Sequence, residues 1–263
     1  MAITSDMPGT FRLGEVFSTS FNAFRRHVVA FIILTVIAHL ILPAFTYFVL
    51  AHYPGFVSLF WGDKVLSVAD FLCVFIAYGA IIYAVIQDLA SRPVSMVDAV
   101  GVAARHLSPL VGVLVCVLVA AWVLIWLVTL LPVDPEFRGS IVPWMYILVT
   151  GMFFVVAPVC IAEKVGLGSV LSRCRFLTKG HRWQISVAIL LVGILEFAIC
   201  TIWAAGAEPL TPTGQGWAAY IMRYTVGDGI WFVLGAYNAV LAAVLYDKLR
   251  LAKDGVHLAE IFD

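Results

Sequence analysis

The chain has 263 residues, 63% of them hydrophobic and 12% charged, with a mean hydropathy of +1.02 and no net formal charge. Soluble domains carry about a quarter charged residues, so this composition excludes an ordinary soluble protein and puts the chain in a bilayer. Five cysteines, an odd number with no CxxC pair, read as small buried hydrophobes and not as a disulfide framework or a metal site.

Residues 1–10 form a polar arm. The stretch that follows, "LGEVFSTSFNAFRRHVVAF", places Leu13, Val16, Phe17, Phe21 and Phe24 on one face at helical spacing. Such a helix lies in the headgroup plane. The first apolar run begins at Val28, and its length is that of a span, not of a signal h-region of about 7–15 residues. A span needs about 20 apolar residues. Six stretches qualify: Val28–Leu50, Val65–Gln87, Leu110–Leu131, Ile141–Ala162, Gln184–Gly206 and Tyr224–Tyr246. None alternates like a transmembrane strand. The expected fold is therefore an all-α integral membrane protein with six transmembrane helices, forming one domain.

Between these runs, Lys and Arg fall unevenly. The N-terminal arm, second loop, fourth loop and tail hold thirteen; the other side holds Lys64, Arg138 and Arg223. The positive-inside rule puts the side with thirteen, and with it both termini, in the cytoplasm. Trp61, Trp144, Trp203 and Trp217 fall at the outer boundary and Trp183 at the inner one, as an aromatic belt does.

Three cytoplasmic entries look alike. The second reads "SMVDAVGVAARHLSPLVGV" and the third "LGSVLSRCRFLTKGHRWQISV". Each is an amphipathic stretch, a basic cluster with a histidine (His27, His106 or His181), and then a span. Gly180 is well placed to stop the third amphipathic helix. The basic residues of the rim are Arg25, Arg26, Arg105, Arg173, Arg175, Lys179 and Arg182. The inward spans end at one acid each, Asp88, Glu163 or Asp247. Positive-inside alone accounts for the arginines but not for the recurring acid, so three parallel repeat units are expected at 11–90, 91–163 and 164–250, with a tail at 251–263.

Glu196 stands alone among apolar residues, at residue 13 of 23 in the fifth span. An acid at that depth costs roughly 2.5–3.5 kcal/mol on insertion scales, so it needs a partner or a proton. His39, Asn238 and Tyr78 fall at matching depth in other spans. They form either a proton or cation site or a single interhelical lock. Asp70 and Asp228 lie near outer span ends, with Arg223 beside Asp228. Gly235, Ala239 and Ala243 make a small-residue packing stripe.

"PVCIAEKVGLGSVLSRCRFLTKGHRW" and "LYDKLRLAKDGVHL" resemble the bacterial multi-span family called the glycerophosphoryl diester phosphodiesterase membrane domain. Pro158, Glu163, Gly180, Arg182, Trp183, Leu245, Tyr246, Leu249, Arg250, Lys253, Asp254 and Gly255 carry the resemblance. It implies a multi-span bundle in a bacterial inner membrane. It does not bring the enzyme activity, because the soluble catalytic domain of that family's fused members is missing from this sequence. Asp247 stands one residue before the family's acid, which turns it about 100° around a helix.

No GxSxG, HExxH, Walker A or cysteine metal pattern occurs, and "GLGSVL" lacks the third glycine of a dinucleotide loop. The expected function is non-enzymatic and needs no cofactor, metal or nucleic acid. It is that of a plasma-membrane scaffold or accessory subunit, packing against partner membrane proteins, itself or lipids, with anionic headgroups at the cytoplasmic face. The alternative is a small transporter or channel using Glu196, His39 and Asn238. An intramembrane lipid enzyme acting through Asp88, Glu163 and Asp247 is the remaining class.

Overall fold

The computed structural model describes residues 11–52, 62–130, 154–163, 167–207 and 217–255. Lys64, Asp70, Trp217, Arg223 and Asp228 have backbones within these ranges but undescribed side chains. Trp61, Arg138, Trp144, Lys164 and most of the expected fourth span lie outside the described residues.

Eight helices are described: α1 Leu13–His52, α2 Gly62–Leu89, α3 Met96–Arg105, α4 Leu107–Thr129, α5 Val156–Glu163, α6 Leu167–Thr178, α7 Arg182–Ala207 and α8 Trp217–Asp254. No strand occurs among the described residues. Among the described residues, four segments are long and apolar enough to cross a membrane: Leu13–Ile41, Leu72–Leu89, Arg182–Trp203 and Gly229–Asp254.

The first expected interfacial helix and the first span form one element. α1 runs through both and leaves helical geometry at His27, with φ −120° and ψ 15°. α3 stops at His106, whose backbone N–H and Nδ1 both turn back to the Val102 carbonyl, at 3.1 and 2.9 Å. Pro109 explains that stop, since its ring excludes a continuous helix through the Arg105 carbonyl. α3 is opened by Ser95, whose hydroxyl accepts from the Asp98 N–H at 3.3 Å. α6 ends at Gly180, whose φ of +92° is the left-handed cap that glycine supplies without strain. α2 ends differently, with Ser91 at φ 57°. Arg92 N–H reaches the Gln87 carbonyl at 2.9 Å and Ser91 N–H the Asp88 carbonyl at 3.0 Å, a Schellman closure that fixes Asp88 in the last turn.

α8 is the central post. It touches α1, α2, α5, α6 and α7. From Ala239 to Asp247 every residue is buried, so this stretch has no lipid or water face. Contacts fix the directions. Thr35 Oγ1 on α1 donates to the Phe232 carbonyl at 3.2 Å, and Phe24 meets Tyr237 edge-on at 5.7 Å, so α1 runs antiparallel to α8. α7 is antiparallel too, with Trp203 beside Gly229 and Gly180 beside Lys253. α2 lies against α1, α3, α5 and α8. Ile81, Ile82, Val85 and Ile86 of α2 join Val240, Leu241, Val244 and Leu245 of α8 in one core.

The outer surface is apolar. Val29, Ile33, Ile37, Ile41, Phe45 and Phe48 form a stripe along α1, each at least half exposed. Val115, Val119, Trp122 and Trp126 do the same on α4. Stripes of this size are rare on soluble monomers. With the four long apolar helices, they point to a helical membrane protein.

Candidate functional site, a charged cluster at the end of the bundle

At the end of the bundle where α8 terminates, five side chains from three helices meet. Arg173 of α6 donates through Nε to both oxygens of Glu163 on α5, at 2.9 Å each. Its Nη1 donates to Asp254 Oδ1 on α8 at 3.3 Å, and its Nη2 donates to Asp254 Oδ2. Tyr246 donates its hydroxyl to Glu163 Oε1 at 2.9 Å and accepts from Arg250 Nη1 at 3.4 Å. Arg250 Nε lies 3.5 Å from Asp254 Oδ2. The Arg173 guanidinium also sits 5.5 Å from the centre of the Phe176 ring.

The side chains of Arg173, Glu163, Asp254 and Arg250 are between 13% and 25% exposed, so solvent screens them only partly. Two cations face two carboxylates, and the cluster neutralises itself. Burial works against the charged form of Arg173, but its hydrogen bonds to Asp254 and Glu163 and their charges prevail and hold its pKa above the ordinary arginine value. A fork-shaped guanidinium between two carboxylates is a geometry that lysine does not reproduce.

A second pairing lies beside the first helix break. Arg26 Nη1 is 3.2 Å and His27 Nε2 3.3 Å from the Asp88 carboxylate, which is 15% exposed. The rim acids thus have different surroundings. Asp88 meets Arg26 and His27, Glu163 meets Arg173 and Tyr246, and Asp247 is buried on α8. Of the rim bases, Arg26 and Arg173 are engaged with carboxylates. Arg25, Arg105, Arg175, Lys179 and Arg182 are exposed, and their side chains have no ionic partner among the described residues.

At mid-span, Asn238 Nδ2 donates to Glu196 Oε1 at 2.6 Å, joining α7 to α8. Tyr78 donates to the Asn238 backbone carbonyl at 3.5 Å. His39 turns elsewhere: its Nδ1 is 2.8 Å from the Thr35 carbonyl one turn back, and its ring packs 4.7 Å from that of Phe232. Depth along a span places these residues level; their angular positions bring three together and direct the fourth to its own helix. In the small-residue stripe, Ala239 and Ala243 are fully buried, whereas a Cβ on Gly235 would meet nothing within 4 Å.

No group of three or more metal-ligating side chains occurs among the described residues. None of the five cysteines forms a disulfide; Cys160 and Cys174 are buried, and Cys116 is exposed on α4, unlike its expected burial. Burial, then the neighbouring Cys160 and Glu163, push the Cys174 thiol up to about 12 against the opposing charge of Arg173. A variant keeping Cys174 as its only cysteine should react with maleimide at pH 8 roughly a hundredfold or more slowly when folded than after unfolding. The folded rate should climb about tenfold per pH unit up to pH 11, because only the thiolate reacts. Equal folded and unfolded rates at pH 8 would contradict this environment.

In the sequence, Asp247 is the acid that ends the last apolar run, and Asp254 belongs only to the residues of the resemblance. Asp254 is the one that closes on Arg173. Seven residues separate the two, close to two helical turns, so both lie on a similar face. Comparisons with family models, with curated proteins and with solved structures return no match.

Proposed function

We propose that this chain is a non-catalytic, multi-pass protein of a bacterial inner membrane, acting as a scaffold or accessory subunit that packs against partner membrane proteins. In this reading it has six spans in three parallel units with both termini in the cytoplasm, as in the family it resembles, and the charged cluster belongs to the cytoplasmic rim. One observation carries it: the charged groups of this cluster are directed at one another, with Arg250 Nε, 3.5 Å from Asp254 Oδ2, the one buried atom of the cluster that makes no hydrogen bond among the described residues. Arg173 is held by two carboxylates, and Glu163 also accepts from Tyr246. A general acid or base would need a group directed at a substrate, and these are directed at each other. The helix breaks at His27, at His106 and before His181 support the three-unit organisation.

The test is native mass spectrometry of the protein gently extracted from its own membrane. A stoichiometric protein partner is the expected result. A chain that always flies alone, with solute flux in reconstituted vesicles, would overturn the reading in favour of a transporter.

Glu196 gives a second test. Glu196→Gln keeps an oxygen that accepts from Asn238 and should change stability by less than about 1 kcal/mol. Asn238→Leu removes the donor and should cost about 1–2 kcal/mol, in the upper range for interhelical hydrogen bonds in membranes. Both are read by denaturant titration in detergent. Flux that disappears in Glu196→Gln vesicles would assign the residue to transport.

A further inference from the structure

We infer that the corner between α6 and α7 binds the headgroup of an anionic phospholipid. This rests on the membrane reading above and names one partner of the rim. Successive α6 residues are separated by 100°. Val170, Cys174 and Leu177 therefore share the buried side. Arg175 and Lys179 share the outer side, flanked by Leu171 at 43% and Phe176 at 49% exposure. The chain turns at Gly180 and presents Arg182 and Trp183, the latter 79% exposed, at the start of α7. A Cβ on Gly180 would lie 3.7 Å from Lys253 Nζ, so a further ammonium sits over the turn.

The local charge is unbalanced. Residues 154–185 and 245–255 hold seven Lys and Arg against three carboxylates, Glu163, Asp247 and Asp254, among the described residues. Glu163 and Asp254 are engaged by Arg173 and Arg250, and Asp247 is buried. The outer cations Arg175, Lys179 and Arg182 therefore have no carboxylate to meet among those residues. A phosphate with net negative charge complements them, and acyl chains complement Leu171, Phe176 and Trp183. An acidic peptide would match the cations but leave these three apolar side chains uncovered. Clusters of Lys and Arg beside a span attract anionic lipid with a factor of about five per cation near the surface, a long reach for a flexible side chain but one that salt shortens.

The experiment uses the full chain reconstituted in vesicles of phosphatidylglycerol and phosphatidylcholine at one to four, extracted in mild detergent, with retained lipids counted by native mass spectrometry. The expected result is retention of phosphatidylglycerol on the order of tenfold above its bulk share, reduced by 0.5 M salt and lost in Arg175→Gln/Lys179→Gln/Arg182→Gln. Arg105→Gln, on α3, should lower it far less than the triple variant does. Retention at the bulk ratio, or equal retention by the triple variant, overturns the inference. A photoreactive phosphatidylglycerol with the unaltered chain gives an answer independent of any variant. Adducts within residues 171–183 support the site, and adducts confined elsewhere overturn it. A chain released from membranes by alkaline carbonate would instead refute the membrane reading, which separates the two failures.

Discussion

Arg173→Gln should destabilise the folded chain by about 2–4 kcal/mol, measured by denaturant titration in detergent. The loss of one partner from a buried ionic pair typically costs about 3–5 kcal/mol. Here the cost is lower because a quarter of the Arg173 side chain reaches solvent. The penalty arises from the groups left behind. Glu163 and Asp254 are 15% and 21% exposed, and neither would keep its main cation. The carboxylates, not the missing arginine, should therefore control rescue. Adding Glu163→Gln and Asp254→Asn to Arg173→Gln should recover at least half of the loss, although three polar contacts are then altered. Tyr246→Phe, which removes one donor from Glu163, should cost about 1 kcal/mol. An Arg173→Gln variant as stable as the parent would show that the cluster does not hold α5, α6 and α8 together.

The second large effect lies in the middle of α8. Ala243 and Ala239 are fully buried between neighbouring helices. Ala243→Phe inserts a ring where the core has no room, and overpacking typically costs about 1–3 kcal/mol, sometimes more. On a helix surrounded by five others, about 3 kcal/mol or loss of the folded species is expected. Gly235→Ala, two helical turns away, should act in the opposite direction. Its new Cβ meets nothing within 4 Å, and a helical alanine restricts the unfolded chain by about 0.4–1 kcal/mol. Size-exclusion profiles after a heating series distinguish the two. Equal behaviour would mean that the stripe packs as one surface from end to end.

Much of the architecture was legible because membrane helices announce themselves locally. The apolar runs gave helices over most of their described residues: Gln184–Gly206 became Arg182–Ala207, whereas Leu110–Leu131 stops at Thr129 and the fourth run has a turn at Phe154 and Val155 before its helix at Val156–Glu163. Gly180 gave the α6 stop, since only the backbone torsion at one residue was at issue. The last span was different. It was read as Tyr224–Tyr246 but continues to Asp254. Hydropathy falls at Asp247 while the backbone remains helical, and a charged helix that packs against other helices has no hydropathy signal. That extra stretch carries Arg250 and Asp254, so the cluster was hidden with it.

Partner choice was less legible still. Tyr246 and Glu163 are 83 residues apart, and Arg173 and Asp254 are 81 apart. Pairing at that distance depends on how each helix is rotated, which an arginine count does not encode. His39 illustrates the same point at mid-span. It was placed with Glu196 by depth, yet its ring turns to Phe232 and the Thr35 carbonyl.

The position of α8 in the chain bears on how the protein is made. Synthesis proceeds from the N-terminus, so the helix that touches α1, α2, α5, α6 and α7 is the last of them to leave the ribosome. Until it arrives, α1 and α2 have each other but lack the partner for Thr35 and Phe24, and Arg173 lacks Asp254. The contacts that tie α1, α2, α5, α6 and α7 to α8 therefore form only after all five have been made.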